Sequence, residues 1–320
     1  MKKKIFGIFI LFAVSILVLA GCGTEKSTEA PEQADETGKL QIVATLFPQY
    51  DFAKTIAGDK AEVTMLLPPG AESHSYEPSP ADIITVSKSN VFIYTGKYME
   101  TWAESIIDVL PEEVCVLDVS EGIDLAEYNS HEEHEADEDH DGHDHGVDPH
   151  VWTDPVLAMK MAENIYNALC EIDSENADYY KENYDAVISK LEALDTEFRE
   201  IVSASDSKFI VFGGRFAFNY FVKEYGLDYV SAYESCSSES EPSAAKISSI
   251  IETVREKNVP VVYYEELSTG KVADIICEET GAEKLVLHSC HNISAEDFDA
   301  GVTYFDLMEK NAENLKKGLN

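Results

Sequence analysis

The sequence predicts an α/β protein of two lobes joined by a single long helix. Three observations support this. Strand-like and helical runs alternate from Leu40 to Val119, the alternation returns from Lys208, and a strictly periodic apolar stripe lies between the two. Strands alternating with helices imply parallel βαβ units, so each lobe reads as Rossmann-like.

In the first lobe the strand-like runs are Gln41–Leu46, Ala61–Leu67, Val91–Thr95 and Val114–Val119, and the helical ones are Tyr50–Gly58, Pro80–Lys88 and Met99–Leu110. In the second, strands are expected at Phe209–Gly213, Tyr229–Ala232, Val261–Tyr264 and Lys284–Leu287. Helices are expected there at Phe216–Glu224, Ala244–Glu256, Lys271–Thr280 and Tyr304–Leu319. The stripe is Tyr180, Tyr184, Val187, Leu191, Leu194, Phe198 and Ile201, whose spacing of alternating fours and threes puts every member on one helical face. A helix from Ala177 to Ser203 would be roughly 40 Å long. A coiled-coil dimer competes with this reading, but the stripe spans only about three or four heptads and is flanked by α/β units, so a helix bridging two lobes of a monomer is expected.

The chain before Leu40 has another character. Lys2, Lys3 and Lys4 precede an apolar run from Ile5 to Ala20, which is shorter than the ~20 residues of a membrane-spanning helix. Leu19-Ala20-Gly21-Cys22 then closes the run with small residues on a cysteine, the pattern of a cleaved signal followed by a lipidated Cys22. Residues 23–38 contain almost nothing that could be buried and read as a tether. The expected organisation is a signal peptide over 1–21, a tether over 22–39, a first lobe over 40–176, a linking helix over 177–206 and a second lobe over 207–320. The chain is placed on the extracytoplasmic face of a cell membrane, held by its lipid.

The net charge of −37 excludes nucleic acid as a partner, because binding it requires basic patches. Six Cys are present, and with Cys22 assigned to the anchor an odd number remains, so at least one thiol is free in an oxidising compartment. Cys115, Cys170 and Cys277 stand among apolar residues and read as core.

Of nine His, five (His131, His134, His140, His143 and His145) crowd an acidic segment over 127–148 that cannot fold alone and could gather metal weakly. The other four are His74, His150, His288 and His291, all in turns or in loops after predicted strands, where open α/β lobes place their ligand sites. Imidazole is a preferred zinc ligand, and three or four complete a tetrahedral site.

Two strings make the set specific: Leu66-Leu67-Pro68-Pro69-Gly70 running on to His74-Ser75-Tyr76-Glu77-Pro78, and Asp148-Pro149-His150-Val151-Trp152-Thr153-Asp154-Pro155. They resemble the metal-binding cluster of ABC-transporter solute-binding lipoproteins, the zinc and manganese uptake receptors. The resemblance runs from Leu40 to the C-terminus. It implies two α/β lobes joined by a long helix, a metal site in the interlobe cleft, His74 and His150 as ligands, and a permease with its cytoplasmic ATPase as partners. The position matching the family's third ligand is Arg215, whose guanidinium has no lone pair to offer. His288 is therefore expected as third ligand and His291 or a nearby acid as fourth. Arg215 is expected to pair with Glu234, Glu239 or Glu241, and Cys236 with Cys290 as a disulfide.

Zinc leads over manganese because imidazole suits it better. Affinity should fall as pH drops through about 6.5, where protons compete for the ring nitrogens. A long helical strut implies release by loop displacement rather than lobe rotation. A zinc hydrolase is disfavoured: His131-Glu132-Glu133-His134 has the wrong spacing for the helical zinc-protease motif, and no Gly-x-Ser-x-Gly elbow is present. A transporter-independent adhesin or zinc buffer is the other alternative.

Overall fold

The computed structural model describes residues 38–73, 76–126, 146–233 and 241–320. Cys22, His74, His131, His134, His140, His143, His145 and Cys236 therefore lie outside the described residues, as do Glu234 and Glu239. No described helix is long and apolar enough to cross a membrane.

The first lobe holds β1 (Leu40–Ala44), α1 (Phe47–Ala57), β2 (Ala61–Met65), α2 (Pro80–Ser87), β3 (Val91–Tyr94), α3 (Ala103–Ile107), β4 (Cys115–Asp118) and α4 (Pro155–Ile172). After α5 (Ala177–Ala204) come β5 (Phe209–Phe212), α6 (Asn219–Tyr225), β6 (Asp228–Ser231), α7 (Ala244–Lys257), β7 (Val261–Tyr264), α8 (Lys271–Thr280), β8 (Glu283–Val286), α9 (Ala295–Ala300) and α10 (Tyr304–Gly318). Each lobe carries a four-stranded, all-parallel sheet, in the orders β2-β1-β3-β4 and β6-β5-β7-β8. Central strands buried on both faces need continuous apolar runs, and β3, β5 and β7 read VFIY, FIVF and VVYY. The edge strands carry the charges, as in AEVTM of β2 and EKLV of β8.

Both sheets reverse direction of growth beside their first strand, which creates a crevice at the carboxyl ends of β1 and β3 and of β5 and β7. The cleft between the lobes is lined by the loops that follow β2, β5, β7 and β8.

The 28 residues of α5 span about 42 Å. Its buried face is Tyr180, Val187, Leu191, Leu194, Phe198, Ile201 and Val202, and it packs on α1 and α4 of one lobe and α10 of the other. One continuous apolar cluster consequently runs through both lobes, from Ile42 and Phe52 through Leu191 and Phe198 to Phe212 and Tyr263. The structure adds one long helix to the sequence reading, α4, where Asp154 caps the first turn through the Val156 N–H and Pro155 occupies the first position. The helix expected over Met99–Leu110 contracts to the five residues of α3, because turns take up the chain before Ala103 and after Ile107.

Candidate metal centre

His150 sits at the turn between the first-lobe sheet and α4, fully buried. Its Nδ1 lies 2.5 Å from Asp148 Oδ1, which also accepts the His150 N–H at 3.0 Å. The other Asp148 oxygen accepts Asn219 Nδ2 at 2.7 Å, and the Asp148 carbonyl accepts the Tyr220 hydroxyl at 2.6 Å. Burial works to raise the Asp148 carboxyl, but the His150 charge and the hydrogen bonds from His150 and Asn219 outweigh it and hold the group below its usual range. A carboxylate accepts from Nδ1, so the hydrogen-bond pattern assigns the proton to Nδ1 and leaves Nε2 as the lone pair for a metal.

His291, in the loop after β8, lies against His150 with ring centroids 4.5 Å apart and planes at 77°. Trp152 packs on both rings, at 5.4 Å from His150 and 5.2 Å from His291. Its indole Nε1 donates to the Ser289 carbonyl at 2.7 Å, and its own carbonyl accepts the Tyr304 hydroxyl at 2.6 Å. The Asp148–Asp154 string thus holds its own histidine and anchors the opposite lobe's loop. That loop is tied down further, since Asn292 Nδ2 donates to the carbonyls of Pro68 and Ala71 at 2.8 Å each and Gly70 N–H donates to Ile293 O at 2.8 Å.

His288 is held by its own loop. Its Nδ1 accepts the Cys290 N–H at 3.0 Å, and Asn311 holds its backbone on both sides. A backbone N–H is always a donor, so the neutral ring carries its proton on Nε2 and its single lone pair is spent on Cys290. Cys290 is a fully buried free thiol at φ 60°, and Cys236, its candidate disulfide partner, lies outside the described residues. Burial raises its titration well above the ordinary thiol range.

Arg215 differs from expectation. Its guanidinium Nη1 donates to Glu72 Oε2 at 3.1 Å, across the cleft rather than within its lobe. Glu241, the described member of the expected acids, accepts from the Tyr233 hydroxyl instead. The Arg215 N–H donates to Glu265 Oε2 at 3.1 Å, and a Cβ on Gly214 would have to displace that carboxylate.

These loops enclose a cavity of about 350 Å³, lined by residues 70–73, 213–215 and 265–272 together with Ser289, His291 and Asn292. Among the described residues no three His, Cys, Asp or Glu side chains meet at metal-holding distance. The pair His150–His291 is what the two lobes bring together among the described residues; His74 lies outside them.

One contact beside His291 was not singled out in the sequence, that between Glu266 and Ser289. Glu266 accepts the Ser289 N–H at 2.6 Å and the Ser289 hydroxyl at 2.5 Å. The available signal was position: Glu265-Glu266 directly follow β7 at its carboxyl end.

The chain has close relatives among known proteins. The high-affinity zinc uptake system protein ZnuA of Bacillus subtilis (strain 168) is 38% identical over 322 residues, covering 100% of this chain and 99% of its own. The zinc-binding lipoprotein AdcA of Streptococcus pneumoniae serotype 4 is 36% identical over 310 residues, which cover 96% of this chain and 60% of AdcA, so the chain spans about three-fifths of that relative. Among solved structures, the metal-dependent lipoprotein YcdH of Bacillus subtilis superposes with a TM-score of 0.76 at 36% identity, covering 88% of this chain and 99% of its own. The Zn(II)-bound ZnuA-like domain of Streptococcus pneumoniae AdcA gives 0.74 at 32% identity, with 88% and 99% covered. With residues 42–318 matching it as a unit, the chain belongs to the family of zinc-uptake complex component A, periplasmic.

Proposed function

We propose that this chain is the extracytoplasmic receptor that captures zinc for an ABC importer, with His74, His150 and His291 as the metal's donors. The observation that supports this best is the meeting of His150 and His291 from opposite lobes at 4.5 Å, with the His150 ring already oriented by Asp148. Three imidazoles fill three positions of a tetrahedral zinc ion, a preference manganese does not share. His288 is assigned to holding its loop, since its Nδ1 is committed to Cys290. Lipidation at Cys22 would keep the receptor beside its permease, and the histidines between 131 and 145 would gather metal near His150. The chain works by binding and handing over an ion, with no chemical conversion.

Elemental analysis of the purified mature protein, with a competition titration of zinc against manganese, tests this reading. Zinc should co-purify at one ion per chain and be preferred. His150→Ala and His291→Ala should each weaken zinc at least a hundredfold, whereas His288→Ala should change affinity by no more than severalfold. A preference for manganese, or a His288→Ala loss as large as that of His291→Ala, would overturn the donor set.

A further inference from the structure

We infer that Glu266 and Ser289 form a hydrogen-bond relay that fixes the His291 ring with its proton on Nδ1, making both of them positioning residues for metal capture. This rests on the reading of His291 as a donor.

The geometry runs through three side chains from two loops. Ser289 Oγ lies 2.5 Å from Glu266 Oε1 and 2.5 Å from His291 Nδ1. The second Glu266 oxygen takes the Ser289 N–H at 2.6 Å, a group that can only donate. A hydroxyl has one proton. A carboxylate offers none, so the Ser289 proton is drawn to Glu266, and Oγ meets Nδ1 with a lone pair. His291 must then donate from Nδ1, which leaves its Nε2 lone pair for a metal ion.

The same logic separates the three described histidines. Asp148 sets His150 directly, with one oxygen on Nδ1. Glu266 sets His291 at one remove, through Ser289. The Cys290 N–H sets His288 in the opposite tautomer and removes it from coordination. Glu266 Oε2 also faces His288 Nδ1, but at 3.7 Å it is beyond hydrogen-bond distance, so the Cys290 N–H at 3.0 Å decides that ring.

The surrounding backbone is built for this contact. Leu267, next to Glu266, has φ 58°, and Cys290, next to Ser289, has φ 60°. Both are left-handed conformations disfavoured for side chains of this kind, and they are retained where two loops must present adjacent residues to each other. Trp152 fixes the Ser289 carbonyl from the other lobe, so the relay's middle member is held at its amide, its carbonyl and its hydroxyl.

The test is ¹⁵N NMR of the full mature, metal-free protein labelled at histidine, with His291 assigned by its loss in His291→Asn, and zinc affinity measured in parallel by competition. Wild type should show neutral His291 protonated at Nδ1. Ser289→Ala and Glu266→Ala should each shift it toward the Nε2–H form and weaken zinc about tenfold or more. The double variant should be little worse than either single one, because the two residues act in series, and Ser289→Thr should restore both readouts. Wild-type His291 protonated at Nε2, or Ser289→Ala leaving tautomer and affinity unchanged, overturns the relay. If the variants shift the tautomer but His291→Ala leaves zinc affinity intact, the donor reading falls and the relay's part in capture falls with it, while the hydrogen-bond assignment stands.

Discussion

Arg215 and Glu72 join the two lobes across the mouth of the cleft, Nη1 to Oε2 at 3.1 Å. Both side chains are well exposed to solvent, so the pair is worth less than about 1 kcal/mol to stability. Its effect falls instead on access to the cavity it helps enclose. Glu72→Ala should leave the melting temperature nearly unchanged and raise the rate at which a chelator strips zinc. Arg215→His should supply a further imidazole beside the existing donors and tighten zinc about tenfold or more. Stopped-flow chelation and competition titration read these outcomes, and an unchanged stripping rate in Glu72→Ala would remove Arg215 from any gating part.

Asp148→Asn should weaken zinc about 10- to 100-fold with little loss of fold. The amide keeps a partner for Asn219 but can turn a donor toward His150 and favour the wrong tautomer. The matching measurement is affinity beside the thermal midpoint of the metal-free protein. A stability loss without an affinity loss would make Asp148 purely structural.

Trp152→Phe should destabilise the metal-free chain by roughly 1–3 kcal/mol, since it leaves the buried Ser289 carbonyl without the indole N–H. Chemical denaturation would measure it. Zinc affinity should drop as well, because the same indole steadies the loop that carries His291.

Stability and affinity should respond to pH in opposite directions. Burial pushes Glu100 up to about 8 from an ordinary 4.5, and Asp51 up to about 6 from 3.8. The folded chain then holds protons that the unfolded chain has released. Their contribution is fully present below the unfolded values and is lost as pH rises through the folded ones. Each pH unit of displacement corresponds to about 1.4 kcal/mol. The metal-free protein should melt lower at pH 8 than at pH 5.5, and Glu100→Gln should flatten that slope, whereas zinc affinity should rise over the same interval. An identical slope in Glu100→Gln would exclude this carboxyl as the cause.

Leu191→Ala should cost about 2–5 kcal/mol and shift one single transition. Leu191 lies in the helix whose buried face contributes to the apolar cluster of both lobes, so the lobes should not melt apart. Two resolved transitions by calorimetry would refute this.

Most of the fold was legible because its signals are local. The apolar runs of β3, β5 and β7 and the stripe on α5 state their own burial. The helix α4 was legible in principle from Asp154-Pro155, but a turn read for its histidine draws attention from the helix start that follows it. In the site, the string around His150 singled out a residue that is buried against His291. Choosing between His288 and His291 depends on which ring nitrogen a neighbour occupies. That neighbour is the Cys290 amide, set by a left-handed backbone no spacing predicts. The Arg215–Glu72 pair and the Glu266–Ser289 contact join residues far apart in the chain, and each was beyond a reading of single loops.

The continuous core has a consequence for how the cargo is kept. Jaws that share one oil-filled joint cannot swing apart without wetting it, so the resting protein has no cheap open form to visit. Residence time is then governed by the fraying of a few loop hydrogen bonds, those of Asn292, Gly70 and Trp152, rather than by a balance between two global shapes. A receptor built this way holds its ion by slowness.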